Sequence, residues 1–319
     1  MNEGLIARIE REAGVPDLLK VLTERLEPTD LQSLLLEVYA HLAKKASPRT
    51  LLEQYERNRF VAPSAVDARL LVEVDRLAMA LLPDGYIPLE LAPLCPLGTN
   101  SVVATVSQHK VVSTIRNTEV VADSTNVLAL ECAVRRRRLM RLPNRRRESV
   151  LLAASQRVTR SQVFKGPGLT SHFRLLSLCA AGRDEGSYRF ESRQLFEQIA
   201  FFVRLVQQVA ELGGDFREIR VTVTDFTSGR LRDVLEEQVL HLLSVRFPDA
   251  RCDYDSKGSA GRSYYDGVRF NVVATDASNQ GLMLADGGVT RWTRDLLSDE
   301  KERLVVSGLG VERLCRPGA

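Results

Sequence analysis

The most informative pattern of the chain lies near its end, in Val305-Val306-Ser307-Gly308-Leu309-Gly310-Val311-Glu312-Arg313-Leu314. An apolar run typical of a buried strand meets a Gly-x-Gly turn, and a helix is predicted to start directly after it. Glycine lets the backbone turn tightly and approach a ligand closely, a helix start favours negative charge, and Arg313 can bind a phosphate through its planar fork. The pattern predicts a nucleotide site or, alternatively, a strand-to-helix corner that carries a surface arginine.

Composition and charge are those of an ordinary globular protein. Of the 319 residues, 44% are hydrophobic and 27% are charged, which is enough for one large domain or two smaller ones. The net charge of +3 is too small to indicate nucleic-acid binding by itself. The five cysteines show no metal-ligand spacing, and no apolar run is long enough to span a bilayer. These features predict reduced thiols, no metal site built by the protein, and a cytoplasmic location.

Residues 1–60 are predicted to form a separate helical module. Leucines recur there at helical spacing, and Pro28-Thr29-Asp30 and Ser47-Pro48 are typical helix starts. The segment contains no set of side chains suited to catalysis, so packing or contact with a partner is its predicted role. Residues 61–319 form the predicted second domain.

Helical and strand patterns alternate through this second domain. A helix is predicted over 65–82, and a strand over 86–93 follows it. Two prolines inside that strand favour a sheet edge or an interface over a central position. The pattern as a whole predicts an α+β fold, in which helices flank an antiparallel sheet.

A predicted hairpin in the middle of the domain carries candidate ligand-binding residues. Strands over 150–163 and 172–178 are predicted to run antiparallel around the basic loop Lys165-Gly166-Pro167-Gly168. Arg160 on one strand, and His172 and Arg174 on the other, are candidates for binding a polyphosphate. The alternative is a hairpin with an ordinary surface loop.

The strongest charge feature is an arginine run, which comprises Arg135–Arg138, Arg141 and Arg145–Arg147. One interpretation is a surface that contacts phosphates or RNA. The other is a helix C-terminus, where cations are favourable, followed by a solvated loop. No aromatic residue is interleaved, so a base-stacking surface is not indicated.

Three segments in order resemble the motifs of class II aminoacyl-tRNA synthetases, most of all those of the histidyl branch. The helix to Leu82 with the strand to Pro93 resembles motif 1, which builds the homodimer interface in that family. Arg160-Ser161-Gln162 and His172–Leu176 resemble the two halves of motif 2, and Gly308–Arg313 resembles motif 3. The resemblance therefore implies a class II synthetase-like catalytic domain behind an N-terminal helical module, and a homodimer.

The resemblance also implies roles for individual residues, with ATP and Mg²⁺ as cofactors. Arg160 would bind the ATP α-phosphate and the substrate carboxylate, and Arg313 would clamp the polyphosphate, so these two would be the catalytic residues. Asp123 would bind the ammonium group of an amino acid. The residues implied at the ATP site are Arg160, Gln162, His172, Leu176, Glu312 and Arg313. Those implied at the amino-acid site are Asp123, Thr125, Arg262, Tyr264, Tyr265, Gly287 and Gly288.

The resemblance covers roughly residues 60–316 and has departures. Gln162 stands where the family has Glu, and Leu176 stands where it has the adenine-stacking Phe. Asn271 stands where histidyl enzymes tend to carry an acid. The chain ends at Ala319, without length for a C-terminal anticodon-binding domain, so a complete tRNA synthetase is not expected.

Three functions are consistent with these residues. The first is ATP-dependent activation of an amino acid or related carboxylate by adenylation, with transfer to an acceptor other than a complete tRNA. The second is a catalytically inactive paralogue that senses a small molecule or regulates a protein partner, as the regulatory subunit of ATP phosphoribosyltransferase does. The altered motif 2 favours this second function. The third is a module that binds an RNA acceptor end, and it depends on the arginine run alone. None of the three predicts membrane contact.

Overall fold

The computed structural model describes residues 3–104, 106–162, 170–211, 216–276 and 280–315. The chain divides into two compact units. One comprises Met1–Ala62 with Ser113–Thr118, and the other comprises Pro63–Val112 with Glu119–Ala319. The domain boundary that the sequence predicts between residues 60 and 61 stays a prediction.

The first unit is helical. Its helices are α1 (Glu3–Ala13), α2 (Leu18–Lys20), α3 (Pro28–Lys44) and α4 (Pro48–Arg57). A wider helical turn, Val21–Arg25, continues α2. Ser47 caps α4 reciprocally with Thr50, as the Ser-Pro start signal predicts. This unit carries none of the residues that the resemblance places at the ATP or amino-acid site.

The second unit holds the sheet and the helices that cover it. Its helices are α5 (Ala68–Ala80), α6 (Ser124–Met140), α7 (Arg189–Glu211), α8 (Arg232–Leu235), α9 (His241–Arg246), α10 (Trp292–Leu297) and α11 (Val311–Leu314). The strands are β1 (Ile87–Pro88), β2 (Leu94–Pro96), β3 (Thr118–Val120), β4 (Val150–Thr159), β5 (His172–Arg183), β6 (Ile219–Asp225), β7 (Ala250–Asp255), β8 (Val268–Thr275), β9 (Gly281–Thr290) and β10 (Glu302–Gly310).

Eight of these described strands form one sheet, in the order β1-β4-β5-β10-β9-β8-β6-β7. Its six central strands run antiparallel, and only the edge pairs β1–β4 and β6–β7 are parallel. The α+β class and the antiparallel pairing of β4 with β5 are therefore confirmed. The predicted strand over 86–93 is reduced to the two-residue edge strand β1, which is where proline is tolerated.

Both faces of this sheet are covered, and each has its own core. Helices α5, α7, α8 and α9 pack on one face, where Leu176, Phe202 and Phe270 are fully buried. Helices α6 and α10 pack on the other face against Leu152 and Leu304. We call these the α7 face and the α6 face. Because side chains of a strand alternate between faces, consecutive residues of β5 and β10 belong to different cores.

The structure also bears on the predictions for the cysteines, a membrane span, the basic loop and the last helix. The five cysteines are all free thiols. No helix in the described part of the chain is long and apolar enough to cross a membrane. The basic loop 165–168 lies outside the described residues. Helix α11 has only four residues, so the predicted helix start after Gly310 is a single turn and adds little dipole to a phosphate site.

Candidate functional site

Two adjoining cavities open on the α6 face, where β5, β9 and β10 lie side by side. The larger has a volume of about 230 Å³, and the smaller has about 50 Å³. They share four lining residues, which are Arg160, Leu175, Asp286 and Gly308. A ligand that fills both cavities would therefore contact Arg160 where the cavities join.

The floor of the larger cavity is formed by the end of β10 and its neighbours. Gly308 pairs with Asp286 of β9, and the strand then runs through Gly310 into α11. A Cβ atom at Gly308 would lie only 3.1 Å from the Leu175 side chain, so glycine keeps this floor open. Phe173 and Leu175 of β5 line the cavity because they project from the same face of the strand.

Arg160 stands where the two cavities meet and is held on three sides. Its Nε donates a hydrogen bond to the carbonyl of Ala122 at 3.0 Å, and its Nη2 lies 3.3 Å from Asp123 Oδ2. The guanidinium lies 5.0 Å from the centroid of the Phe173 ring, within the range of a cation–π contact. These contacts fix a positive charge at the junction before any ligand arrives.

Two motif 3 residues, Glu312 and Arg313, complete the larger cavity. Arg313 Nη1 donates to the carbonyl of Met283 at 2.5 Å, which directs the guanidinium across the cavity wall. Glu312 is 9% exposed, and its Oε2 accepts a hydrogen bond from the backbone N–H of Arg174 at 2.7 Å. Its Oε1 lies 3.1 Å from Arg157 Nη1. One carboxylate is thus tied to the sheet while the adjacent arginine faces the cavity.

These ties continue on the α7 face through Asp75 of α5. Asp75 Oδ1 accepts a hydrogen bond from Ser155 at 2.6 Å, and its Oδ2 pairs with the Arg174 guanidinium. Arg174, whose backbone N–H holds Glu312, therefore also connects α5 to the motif 3 end of β10. Local sequence patterns do not predict this network, because its members are separated by up to 237 positions.

The smaller cavity is built around the start of α6. Asp123 is the N-cap of that helix, and its Oδ1 accepts hydrogen bonds from the backbone N–H and the hydroxyl of Thr125, at 3.0 and 2.7 Å. The other carboxylate oxygen faces Arg160. An N-cap aspartate is rigid, since its geometry is set by the helix that it starts. Asp123 therefore presents a fixed negative charge to the cavity.

Tyr264 and Tyr265 form the aromatic wall of this cavity. Their ring centroids are 4.9 Å apart, and Tyr264 also packs edge-on against Trp292 at 5.2 Å. Gly288 makes room for this wall, because a Cβ there would lie 2.8 Å from Tyr265 Cδ1 and 2.3 Å from the carbonyl of Val268. The residue is required for packing rather than for lining a pocket.

Asp286 is the second carboxylate of the site and lines both cavities. Its Oδ2 lies 3.4 Å from Arg269 Nη2 and accepts a hydrogen bond from the Tyr265 hydroxyl at 3.3 Å. Burial raises the pKa of this carboxyl, Arg269 partly offsets the effect, and the negative charge of Asp123 raises it further. Two carboxylates around one small space favour a cationic group on the ligand.

Two of the residues assigned to the ATP site lie on the α7 face. Leu176 is fully buried among the residues of that core, and His172 Nδ1 lies 3.0 Å from Arg157 Nη1. Neither lines a cavity, because even-numbered residues of β5 point away from the α6 face. Phe173 is the aromatic residue of motif 2 that reaches the cavity. Gln162 also stands outside both linings.

Two other assignments to the amino-acid site change as well. Arg262 is exposed and lies over the Phe226 ring, whereas Arg269 of β8 reaches Asp286. Gly287 lines neither cavity. Glycine is needed there for packing, since a Cβ would lie 2.5 Å from Ser307 Cβ. The structure brings seven of the assigned residues to the cavities, which are Asp123, Thr125, Arg160, Tyr264, Tyr265, Glu312 and Arg313.

Comparison with solved structures identifies the architecture. A histidyl-tRNA synthetase from S. aureus matches 77% of this chain and 64% of its own, with a TM-score of 0.55 and 13% identity. A Bacillus halodurans protein described as an ATP phosphoribosyltransferase regulatory subunit/histidyl-tRNA synthetase matches 77% of each chain, with a TM-score of 0.54 and 15% identity. A structure described as the RNA binding domain of threonyl-tRNA synthetase from Cryptosporidium parvum matches 77% of this chain and 62% of its own, with a TM-score of 0.54 and 11% identity. This chain has the class II aminoacyl-tRNA synthetase-like fold.

The similarity is one of architecture. At 11–15% identity it establishes the class II-like fold alone, and this chain spans less than two thirds of the S. aureus enzyme. No protein-family model matches the sequence, and no curated protein does. Function therefore has to be argued from the site.

Proposed function

We propose that the protein uses ATP to activate a small carboxylate that also carries an amino group, by forming an acyl-adenylate. The observation that carries this proposal is the junction at Arg160. A cavity with arginines and an aromatic ring adjoins a smaller one with two carboxylates, and the same arginine lines both. The class II-like fold supports the proposal.

In this proposal the larger cavity receives ATP. Phe173 provides an aromatic ring on which adenine stacks. Gly308 and Gly310 have no side chains, so the nucleotide can lie close to the backbone at the end of β10. Arg313 binds the polyphosphate through charge-assisted hydrogen bonds. The role that the resemblance gave to Leu176 passes to Phe173.

The smaller cavity receives the amino end of the second substrate. Asp123 pairs with the ammonium group, and Asp286 adds negative charge. Tyr264 and Tyr265 exclude water from the remaining walls. The substrate carboxylate then points towards Arg160, the positive group at the boundary with the ATP cavity.

The reaction needs positioning and charge stabilisation rather than acid–base catalysis. A carboxylate oxygen attacks the α-phosphorus of ATP, a new P–O bond forms, and the bond to the bridging oxygen of the β-phosphate breaks. Acyl-adenylate and pyrophosphate result, and the electron pair leaves with the pyrophosphate. Arg160, fixed before binding, stabilises the negative charge that grows on the α-phosphoryl oxygens.

The carboxylates at the larger cavity fit a magnesium ion that arrives with ATP. No group of three or more His, Cys, Asp or Glu suited to a metal occurs in the described part of the chain. Mg²⁺ is commonly bound by one or two carboxylates together with substrate phosphates, so no such group is needed. Glu312 and Asp286, which line the larger cavity, would hold it; Glu312 Oε1 is buried, and its ion pair with Arg157 at 3.1 Å lacks the geometry of a hydrogen bond. The ion would supply charge neutralisation on the phosphates.

The acceptor of the activated group is proposed to be something other than a complete tRNA.

We also propose that the protein is a homodimer. Exposed apolar side chains occur on α5, where Val72 is 65% and Leu70 is 38% exposed. A second copy covering them would bury this surface. Light scattering of wild type and of Leu70→Asp/Val72→Asp tests this: a wild-type monomer would refute it.

A second candidate function is regulation without catalysis. Arg160 is already paired with Asp123, and the neutral Gln162 follows where the class II pattern has an acid. A relative of similar fold is described as an ATP phosphoribosyltransferase regulatory subunit. In that case the smaller cavity would bind an effector, and no adenylate would form.

ATP–pyrophosphate exchange with a panel of amino acids distinguishes the two candidates. Exchange that depends on one amino acid, and that is lost in Arg160→Ala, is expected for adenylation. Arg230→Ala is the matched control, because Arg230 is exposed and lies outside both cavities. Calorimetric binding of an amino acid without exchange would favour regulation. Absence of both would refute the proposed use of this site.

A further inference from the structure

Positive charge is concentrated in one segment, Glu131–Glu148. It contains eight arginines against two glutamates and has no lysine and no aromatic residue. The whole chain has a net charge of only +3, so the remainder of the chain is net negative. Such asymmetry produces a local positive field, although the total charge is ordinary.

Three of these eight arginines are used by the fold. Arg136 is fully buried and pairs with Glu302 at 2.7 Å. Arg135 pairs with Glu131 at 2.8 Å, and Arg145 pairs with Glu148 at 2.8 Å. The arginine run is therefore anchored to the second unit rather than attached as a loose tail.

The other exposed arginines have little or no counter-charge. Arg137, Arg138, Arg141 and Arg147 have no carboxylate partner among the described residues, and Arg146 is 3.9 Å from Asp299. Positions three and four apart on a helix lie on one side, so Arg141 stands next to Arg137 and Arg138. Favourable interaction with the end of α6 accounts for a cation in its last turn. It does not account for Arg147, which lies beyond the helix.

The surface beside these arginines is concave. A cavity of about 430 Å³ lies between the C-terminal part of α6 and the sheet edge, and its lining includes three arginines, one acid and apolar side chains: Arg135, Arg138, Arg145, Glu148, Ile87 and Leu142. Since Arg136 bonds Glu302 and the carbonyls of Arg146 and Glu148, both sides of this cavity are held in place. We call the exposed arginines and this cavity the arginine surface.

We propose that the arginine surface binds the phosphate backbone of a nucleic acid, without reading its sequence. A nucleic acid carries a charge at every residue of its backbone, and the guanidinium group of arginine binds phosphates through charge-assisted hydrogen bonds. The absence of aromatic side chains excludes base stacking within the segment, so the contacts are to phosphates. This binding does not depend on the adenylation proposed above.

Fluorescence anisotropy with a labelled oligouridylate of about 20 nucleotides tests the proposal on the chain of 319 residues. The variant Arg137→Gln/Arg138→Gln/Arg141→Gln removes three unpaired charges and leaves the buried Arg136 intact. The control Arg11→Gln/Arg25→Gln/Arg116→Gln changes the net charge equally at exposed sites in the first unit. Thermal unfolding of both variants verifies that they fold.

Loss of the three arginines should weaken binding about ten- to hundred-fold at 0.1 M salt, because each phosphate contact contributes about 0.7 to the slope of log K against log salt. The magnitude of that slope should fall by about 2, and the control should bind as wild type does. Equal loss in both variants, or no binding by wild type, would overturn the proposal. Equally tight binding of polyglutamate, lost in the same variant, would assign the surface to an acidic polypeptide and would also overturn it.

Discussion

Replacing Arg136 with Met is expected to lower the free energy of unfolding by about 3–5 kcal/mol. Arg136 and Glu302 are both fully buried and form a two-pronged pair, with N–O distances of 2.8 and 2.7 Å. Methionine has a similar length and a good helix propensity, so α6 keeps its shape. What the substitution leaves behind is the Glu302 carboxylate, buried without its main partner.

The size of the effect follows from what can replace the lost contacts. Arg183 lies 3.7 Å from Glu302 and offsets part of the loss. The carbonyls of Arg146 and Glu148 also lose their donor, but they belong to exposed residues and can bond to water. The uncompensated carboxylate therefore dominates. Removing the charge as well, in Arg136→Met/Glu302→Leu, should recover most of the stability, since no buried ion remains.

Urea unfolding followed by tryptophan fluorescence is the assay. Trp292 is the only tryptophan of the chain and is buried in the same core as Leu304, two residues from Glu302. Arg137→Met, one position away and exposed, serves as the control and should change stability by less than about 0.5 kcal/mol. A loss below about 1 kcal/mol in Arg136→Met, or a double variant no more stable than the single one, would refute the reasoning.

Further predictions concern the cavities and a buried carboxylate. Arg313→Ala should weaken ATP binding at least about ten-fold in calorimetry and leave thermal unfolding unchanged, because its charged hydrogen bonds are made at the cavity; unaltered affinity would contradict the assignment. Gly288→Ala should destabilise by about 1–3 kcal/mol in urea, since its Cβ would overlap the Val268 carbonyl and Tyr265. Burial alone would raise the pKa of the Glu119 carboxyl, but four N–H hydrogen bonds to it outweigh burial, so the pKa is lowered in the folded protein. The ionised carboxylate therefore stabilises the fold at pH values above the ordinary pKa of Glu, and this stabilisation is lost as the pH falls. The stability difference between wild type and Glu119→Gln should therefore shrink from pH 7 to below about 4.5; a constant difference would contradict this.

Patterns local to one strand or helix were the predictable part of this fold. The antiparallel pairing of β4 and β5 follows from alternating apolar positions around a basic loop, and β1 follows from its prolines. Motif spacing placed Leu176 at the nucleotide, but the alternation of side chains gives Phe173 and Leu175 to that face. Once it is known which face of β5 borders the cavities, the alternation of side chains alone assigns Phe173, and not Leu176, to the nucleotide site.

Contacts between distant segments were not predictable in the same way. Arg160 meets Asp123 across 37 positions, and nothing in either local sequence indicates that an N-cap and a strand end will adjoin. The resemblance assigns Arg262 to the amino-acid site because it lies near Tyr264 along the chain. In the folded chain Arg262 lies over Phe226, and Arg269 reaches Asp286. The number of residues between an arginine and the two tyrosines does not show how the chain turns between them, or which way the side chains of β8 point.

The two arginine–carboxylate pairs that join α6 to distant segments suggest what a buried ion pair supplies where an apolar pair would serve stability equally well. The helix starts at Asp123, which pairs with Arg160 at the cavities, and near its other end Arg136 pairs with Glu302 at the start of β10. Strand β10 in turn ends at Gly308 and Gly310, the cavity floor. A pair with fixed geometry sets the register of β10 under α6, whereas apolar side chains allow sliding. We therefore expect Arg136→Met/Glu302→Leu to regain its stability yet bind ATP several-fold more weakly in calorimetry. Wild-type affinity in that double variant would show that the ion pair has no part in positioning the site.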